Sequence, residues 1–132
     1  MRKALRFVVG LSLGAAGALA HAHHSFSAEF DANKPVKITG TVTNVEWRNP
    51  HTWFYVDVKD DTGAVVNWGF ELASPNLLLR NGWTRSSMKI GDVVTVEAYR
   101  AKNGLSLANA HLVTLSSTGA TLFTGSSKGT TP

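Results

Sequence analysis

The chain has no cysteine among its 132 residues. Disulfides, thiolate nucleophiles and thiolate metal sites are therefore all closed to it. It has no Gly-x-Ser-x-Gly elbow, so a serine hydrolase of that type is not indicated. No internal repeat appears, which argues against a solenoid or propeller. Its longest apolar run, residues 7–19, falls short of the roughly 20 residues that a membrane helix needs. No twin arginine precedes that run, and no cysteine follows it to carry a bacterial lipid anchor.

What is present at the start reads as an export signal. Arg2, Lys3 and Arg6 form a basic head, residues 7–19 carry no charge, and small residues follow. Two cleavage frames fit. Cutting after Ala20 starts the mature chain at His21, and cutting after Ala22 starts it at His23. The expectation is a periplasmic or secreted protein with no stable membrane anchor after cleavage. The three basic residues leave with the signal, so the formal net charge of +4 drops to about +1. On that ground no nucleic-acid partner is expected. The remaining length of about 110 residues suffices for one domain with an ordinary apolar core.

The mature chain reads as mainly β. Residues 23–33 have no clear period and read as an N-terminal arm. Strands are expected at 35–47, 51–59, 65–72, 93–99 and 108–115. In the first, Val36, Ile38 and Val42 share one phase while Val45 and Trp47 share the other, which requires a bulge or bend. Gly40 is the natural place for sharp coiling. Asp60-Asp61-Thr62-Gly63 turns the second strand into the third. Ser74-Pro75 and Asn81-Gly82 bracket a short helix. Residues 117–132 read as a flexible tail, pinned at most by Leu122 and Phe123. Three strands, a helix and two strands match a small five-stranded OB-like Greek-key barrel, with the helix between strands three and four. A β-sandwich is the alternative, but five strands are few for one.

Several stretches together resemble a family of small exported bacterial proteins of unknown function, the DUF6152 family. They are His23-His24-Ser25-Phe26, Glu29-Phe30-Asp31, Gly40-Thr41-Val42, Asn49-Pro50-His51, Trp68 with Glu71, Arg80-Asn81-Gly82-Trp83 and Gly91-Asp92. The resemblance covers the mature domain to about Leu115. It implies a periplasmic β-rich domain and supplies no activity.

The histidines are the first chemical signal. His21, His23 and His24 crowd the new N-terminus. If the chain starts at His23, its α-amine and imidazole chelate one ion, and His24 or the distant His51 completes a T-shaped Cu(II) site. If it starts at His21, a third-position His23 with the amine and backbone nitrogens makes a square-planar Cu(II) or Ni(II) site. An α-amine with pKa near 8 can lose its proton to metal at neutral pH. Against this, the segment could simply pack across the barrel. His51 has a plainer role bonding its turn, and His111 reads as a surface or rim residue. The metal candidates are thus His23, His24 and His51, and both frames favour copper as the cofactor.

Aromatics are the second signal. Trp53 and Tyr55 share the face opposite Phe54 and Val56 and could form a ligand platform, as on the strand-two and strand-three face of OB barrels. Trp47 and Trp68 read as core, and Trp83 as a plug over one barrel end. Enzyme signals are poor. A hydrolase would need Glu46, Glu71 and a histidine to converge in one cleft. The leading expectation is a non-enzymatic exported binding module for copper, a small ligand or an envelope protein. Its alternative is an envelope-interaction or glycan-binding domain that uses the aromatic face.

Overall fold

The computed structural model describes residues 26–126. A one-turn helix α1 (Phe26–Glu29) leads directly into a 17-residue strand β1 (Phe30–Glu46). There follow β2 (Trp53–Lys59), β3 (Val65–Glu71), α2 (Pro75–Arg80), β4 (Val93–Ala101), β5 (Leu107–Leu115) and β6 (Thr121–Leu122). The first half of β1 pairs antiparallel with β4, and its last part pairs with β2. The strand can serve both neighbours because it coils where the two ladders overlap. A side chain on Gly40 would stand 2.6 Å from Cγ1 of Val56 and collide with the carbonyl oxygen of Asp57, so only glycine fits that approach. The expected break in phase appears as a register shift between Val42 and Asn44.

The sheet runs β3-β2-β1-β4-β5-β6, and β3 also pairs parallel with β5. That pairing closes five strands into a ring, the OB-like barrel. Period-2 alternation sends Phe54, Val56, Phe70, Val94, Val96, Ala98 and Val113 inward, all fully buried. Alanines 98, 108 and 110 line the wall where β4 and β5 meet, and their small size leaves room for the stacked Phe54–Phe70 pair at 5.1 Å.

One end of the barrel is capped. Ser74 accepts the Leu77 amide through Oγ, Pro75 opens α2, and Leu78 is driven into the core. Trp83 lies over the same end beside Trp47, at 5.9 Å, and donates Nε1–H to the Phe123 carbonyl at 2.7 Å. Met88 completes this lid. Trp83 is thus the expected plug. Trp47 and Trp68 pack against the core while staying partly exposed.

Two features differ from the sequence reading. Residues 26–29 are helical and β1 begins at Phe30, five residues early, because Phe30 pairs with Ala101 and is buried there. The chain after Ser116 is also not loose as far as Ser126. β6 adds a sixth strand outside the ring, and the Ala73 amide bonds the Thr124 carbonyl at 2.8 Å. A two-residue strand is too short to show a period, so local sequence carried no sign of it.

Candidate functional site

Strand register places a belt of polar and aromatic side chains on the outside of the barrel. Glu46 opposes Trp53, Trp53 opposes Glu71, Glu71 opposes Asn109, and Asn109 opposes Tyr99. Their neighbours Phe54, Phe70, Ala108, Ala110 and Ala98 face the core, so this belt faces out. Glu71 and Asn109 are nevertheless buried, at 4% and 1% exposure. Both belong to the parallel β3–β5 junction.

A buried carboxylate needs donors, and Glu71 has them from both sides. Asn109 donates Nδ2–H to Oε1 at 3.0 Å. His51 sits just before β2, after the cis Asn49–Pro50 peptide, and brings Nδ1 to 3.2 Å from Oε2. Ser126 donates its hydroxyl to Oδ1 of Asn109 at 2.6 Å. Residues from four separate segments therefore form one chain, Ser126–Asn109–Glu71–His51. An ionised carboxylate only accepts, so the proton must sit on Nδ1 of His51. A carboxylate on one ring nitrogen fixes the tautomer of a histidine, as it does for metal-ligating and proton-accepting histidines.

Beside this chain the belt continues into an aromatic group. Tyr99 stacks on His111 at 4.7 Å and takes the edge of Phe26 at 5.5 Å. Tyr99, His111, Leu77, Leu122, Phe123 and Ser126 line an open groove of about 780 Å³. The C-terminal segment that the sequence left as tail thus forms one wall of it.

Trp53 and Tyr55 do share one face, and both are half-buried. The Tyr55 ring packs against Gly69, where an added Cβ would meet it at 3.1 Å. Its hydroxyl points to Oε2 of Glu46 at 3.4 Å. Burial and then the Glu46 charge push the Tyr55 hydroxyl above its ordinary pKa, and Arg48 partly offsets them. The Arg48 guanidinium stands 6.0 Å from the Trp53 ring. Trp53 also lines a smaller groove of about 470 Å³ with Phe30, Lys102 and Leu107. Both rings of the pair are thus partly covered.

Glu46 and Glu71 do not converge. They stand two strand spacings apart, roughly 10 Å, with Trp53 between them. Glu46 engages Arg48 at 3.3 Å, and Glu71 is enclosed in its own network. His111 is drawn into the groove by Tyr99, which its expected surface or rim position did not convey. His23 and His24 lie outside the described residues. Among the described residues no group of three or more histidine, aspartate or glutamate side chains is placed to hold a metal ion. Sequence reasoning missed Asn109 and Ser126. The one signal for Asn109 was a polar residue between two alanines in a strand core, and Ser126 had none.

A family model described as "Family of unknown function (DUF6152)" matches residues 11–109. No curated protein matches the chain. Among solved structures it is similar to the mitochondrial single-stranded DNA binding protein from S. cerevisiae, at 13% identity and a TM-score of 0.48. That match covers 66% of this chain and 94% of the other. A likeness at this identity concerns the fold alone. It does correct one expectation, that of no nucleic-acid partner. A single-stranded DNA binding protein stands among the folds similar to this one, and a near-neutral net charge is not enough to exclude such a partner. The correction lifts an exclusion and assigns no ligand.

Proposed function

The chain belongs to the DUF6152 family of unknown function, and for it we propose an exported, non-enzymatic binding module that holds Cu(II) between its processed N-terminus and His51. The observation that carries this reading is the buried Glu71 carboxylate on Nδ1 of His51, itself held by Asn109 and Ser126. Ligand histidines are typically oriented in this way, with the far nitrogen aimed at the metal. Chain reach supports the pairing. Phe26 is anchored on Tyr99, the strand neighbour of Asn109. Three residues, which span at most about 11 Å, separate His23 from that anchor. Amine and imidazole nitrogens suit Cu(II), and all must be deprotonated to bind.

Intact-mass measurement of the exported protein should show a start at His21 or His23. Cu(II) titration of that protein should then give an affinity that falls at least tenfold in His23→Ala and in His51→Ala. Equal weak affinity in wild type and His23→Ala would sink the reading.

A further inference from the structure

Among the described residues no element caps the barrel end opposite α2. Val36, Ile38, Val58, Trp68 and Arg100 lie along it in the core-facing phase of their strands, yet all are only half-buried. Val66, two positions before Trp68 on the same face, is 39% exposed, and Leu105 in the neighbouring β4–β5 turn is 57% exposed. Into this apolar mouth the chain places one cation. The Arg100 guanidinium stacks over Trp68 with its centre 5.4 Å from the ring. Nη2 donates to the Gly104 carbonyl at 2.9 Å, while Nε is shut from water with no acceptor. Among the described residues no carboxylate pairs with it. Lys34, Lys37 and Arg48 each have one on the barrel exterior.

A guanidinium offers five N–H donors in a planar fork that matches a carboxylate, and here most of that fork is unspent. The ring of Trp68 and the Gly104 carbonyl hold it in one orientation, so little ordering remains for an anion to impose. The surrounding wall is aliphatic and aromatic. We propose that this uncapped end binds a small amphiphile, with its carboxylate on Arg100 and its apolar chain against Trp68, Val66 and Leu105. Charge complementarity selects the head group, and the exposed apolar rim selects the body. This site is at the opposite end of the barrel from the lid of α2 and Trp83, and it is independent of the copper reading.

Decanoate, below its micelle concentration, is the probe, with decanol as its uncharged counterpart. NMR titration of the purified wild-type protein should show saturable shifts of the Arg100 guanidinium and Trp68 indole resonances with decanoate. Decanol should bind at least about tenfold more weakly, the scale set by hydrogen bonds to a charged group. Arg100→Met keeps the apolar stem and should lose decanoate by a similar factor, whereas Arg100→Lys should retain part of it. The wild-type titration stands even if a variant folds poorly. Equal affinity for decanoate and decanol, shifts confined to residues elsewhere, or binding of inorganic phosphate without decanoate would each overturn the proposal.

Discussion

Replacing Glu71 by alanine removes the acceptor on which the buried polar chain converges. In the wild type this carboxylate takes hydrogen bonds from Asn109 and His51 at 3.0 and 3.2 Å. Without it, Nδ2 of Asn109 loses the Glu71 acceptor at a position only 1% exposed. His51 is 24% exposed at its side chain and can partly turn to water. An orphaned buried donor costs about 1–3 kcal/mol, and this substitution takes the acceptor from two donors at once. Allowing for rehydration of His51 and for relief of the buried charge, the expected loss is about 3 kcal/mol. For a domain of this size that lowers Tm by roughly 10–20 °C. Glu71→Gln retains an acceptor for Asn109, and His51 can answer the new amide by changing tautomer, so about 1 kcal/mol is expected. Urea unfolding followed by tryptophan fluorescence measures both variants. A Glu71→Ala loss below about 1 kcal/mol would refute the claim that the network is built on this carboxylate. The mild Gln variant also separates folding from function. If Glu71 positions a ligand histidine, Cu(II) affinity should fall about 10- to 100-fold in a protein that remains folded.

Two further predictions test the barrel itself. Gly40→Ala forces a methyl against the Asp57 carbonyl and Val56, and strand backbone cannot move aside without breaking its ladder. The expected cost is about 2–3 kcal/mol, against about 1 kcal/mol for Gly63→Ala, which meets no atom and suffers only from its φ of +85°. Urea midpoints that rank the two the other way would contradict the close approach at Gly40. In the β2–β3 turn, the Thr62 hydroxyl donates to Asp60 at 2.6 Å and its amide at 2.8 Å. These bonds, the hydroxyl first, hold the Asp60 carboxyl below its ordinary range. Because the folded value is depressed, the ionised carboxylate stabilises the turn above the ordinary carboxylate pKa. That contribution disappears as pH falls through the folded value. Thr62→Val should return the Asp60 NMR titration midpoint toward normal, and an unmoved midpoint would show that the hydroxyl is not its cause.

The belt on the barrel exterior also shows why position along the chain says little about position in the site. Asn109 and Glu71 are 38 residues apart and share a register pair. Glu46 and Glu71 carry the same chemistry and lie on the same face, yet one is tied to an exposed arginine and the other is enclosed. The difference comes from the neighbouring strand. Glu71 lies at the parallel junction with β5, whereas Glu46 ends a ladder beside the open loop of Arg48.

Much of this architecture was legible from local chemistry. Alternating apolar residues, the Asp60–Gly63 turn, the Ser74-Pro75 cap and the phase break in β1 act over a few residues, so they can be read without knowing what lies opposite. They determined five strands, one intervening helix and a barrel of OB type. They also put Trp53 and Tyr55 on one face and His51 at the head of β2. What needed the tertiary structure was everything that depends on closure. The parallel β3–β5 pairing buries Glu71 with Asn109, β6 returns Ser126 to them, and the end opposite α2 gives Arg100 no carboxylate partner among the described residues. Burial and hydrogen-bond partners are properties of segments brought together from far apart, and the pattern along a strand shows which way a side chain points but not what it meets.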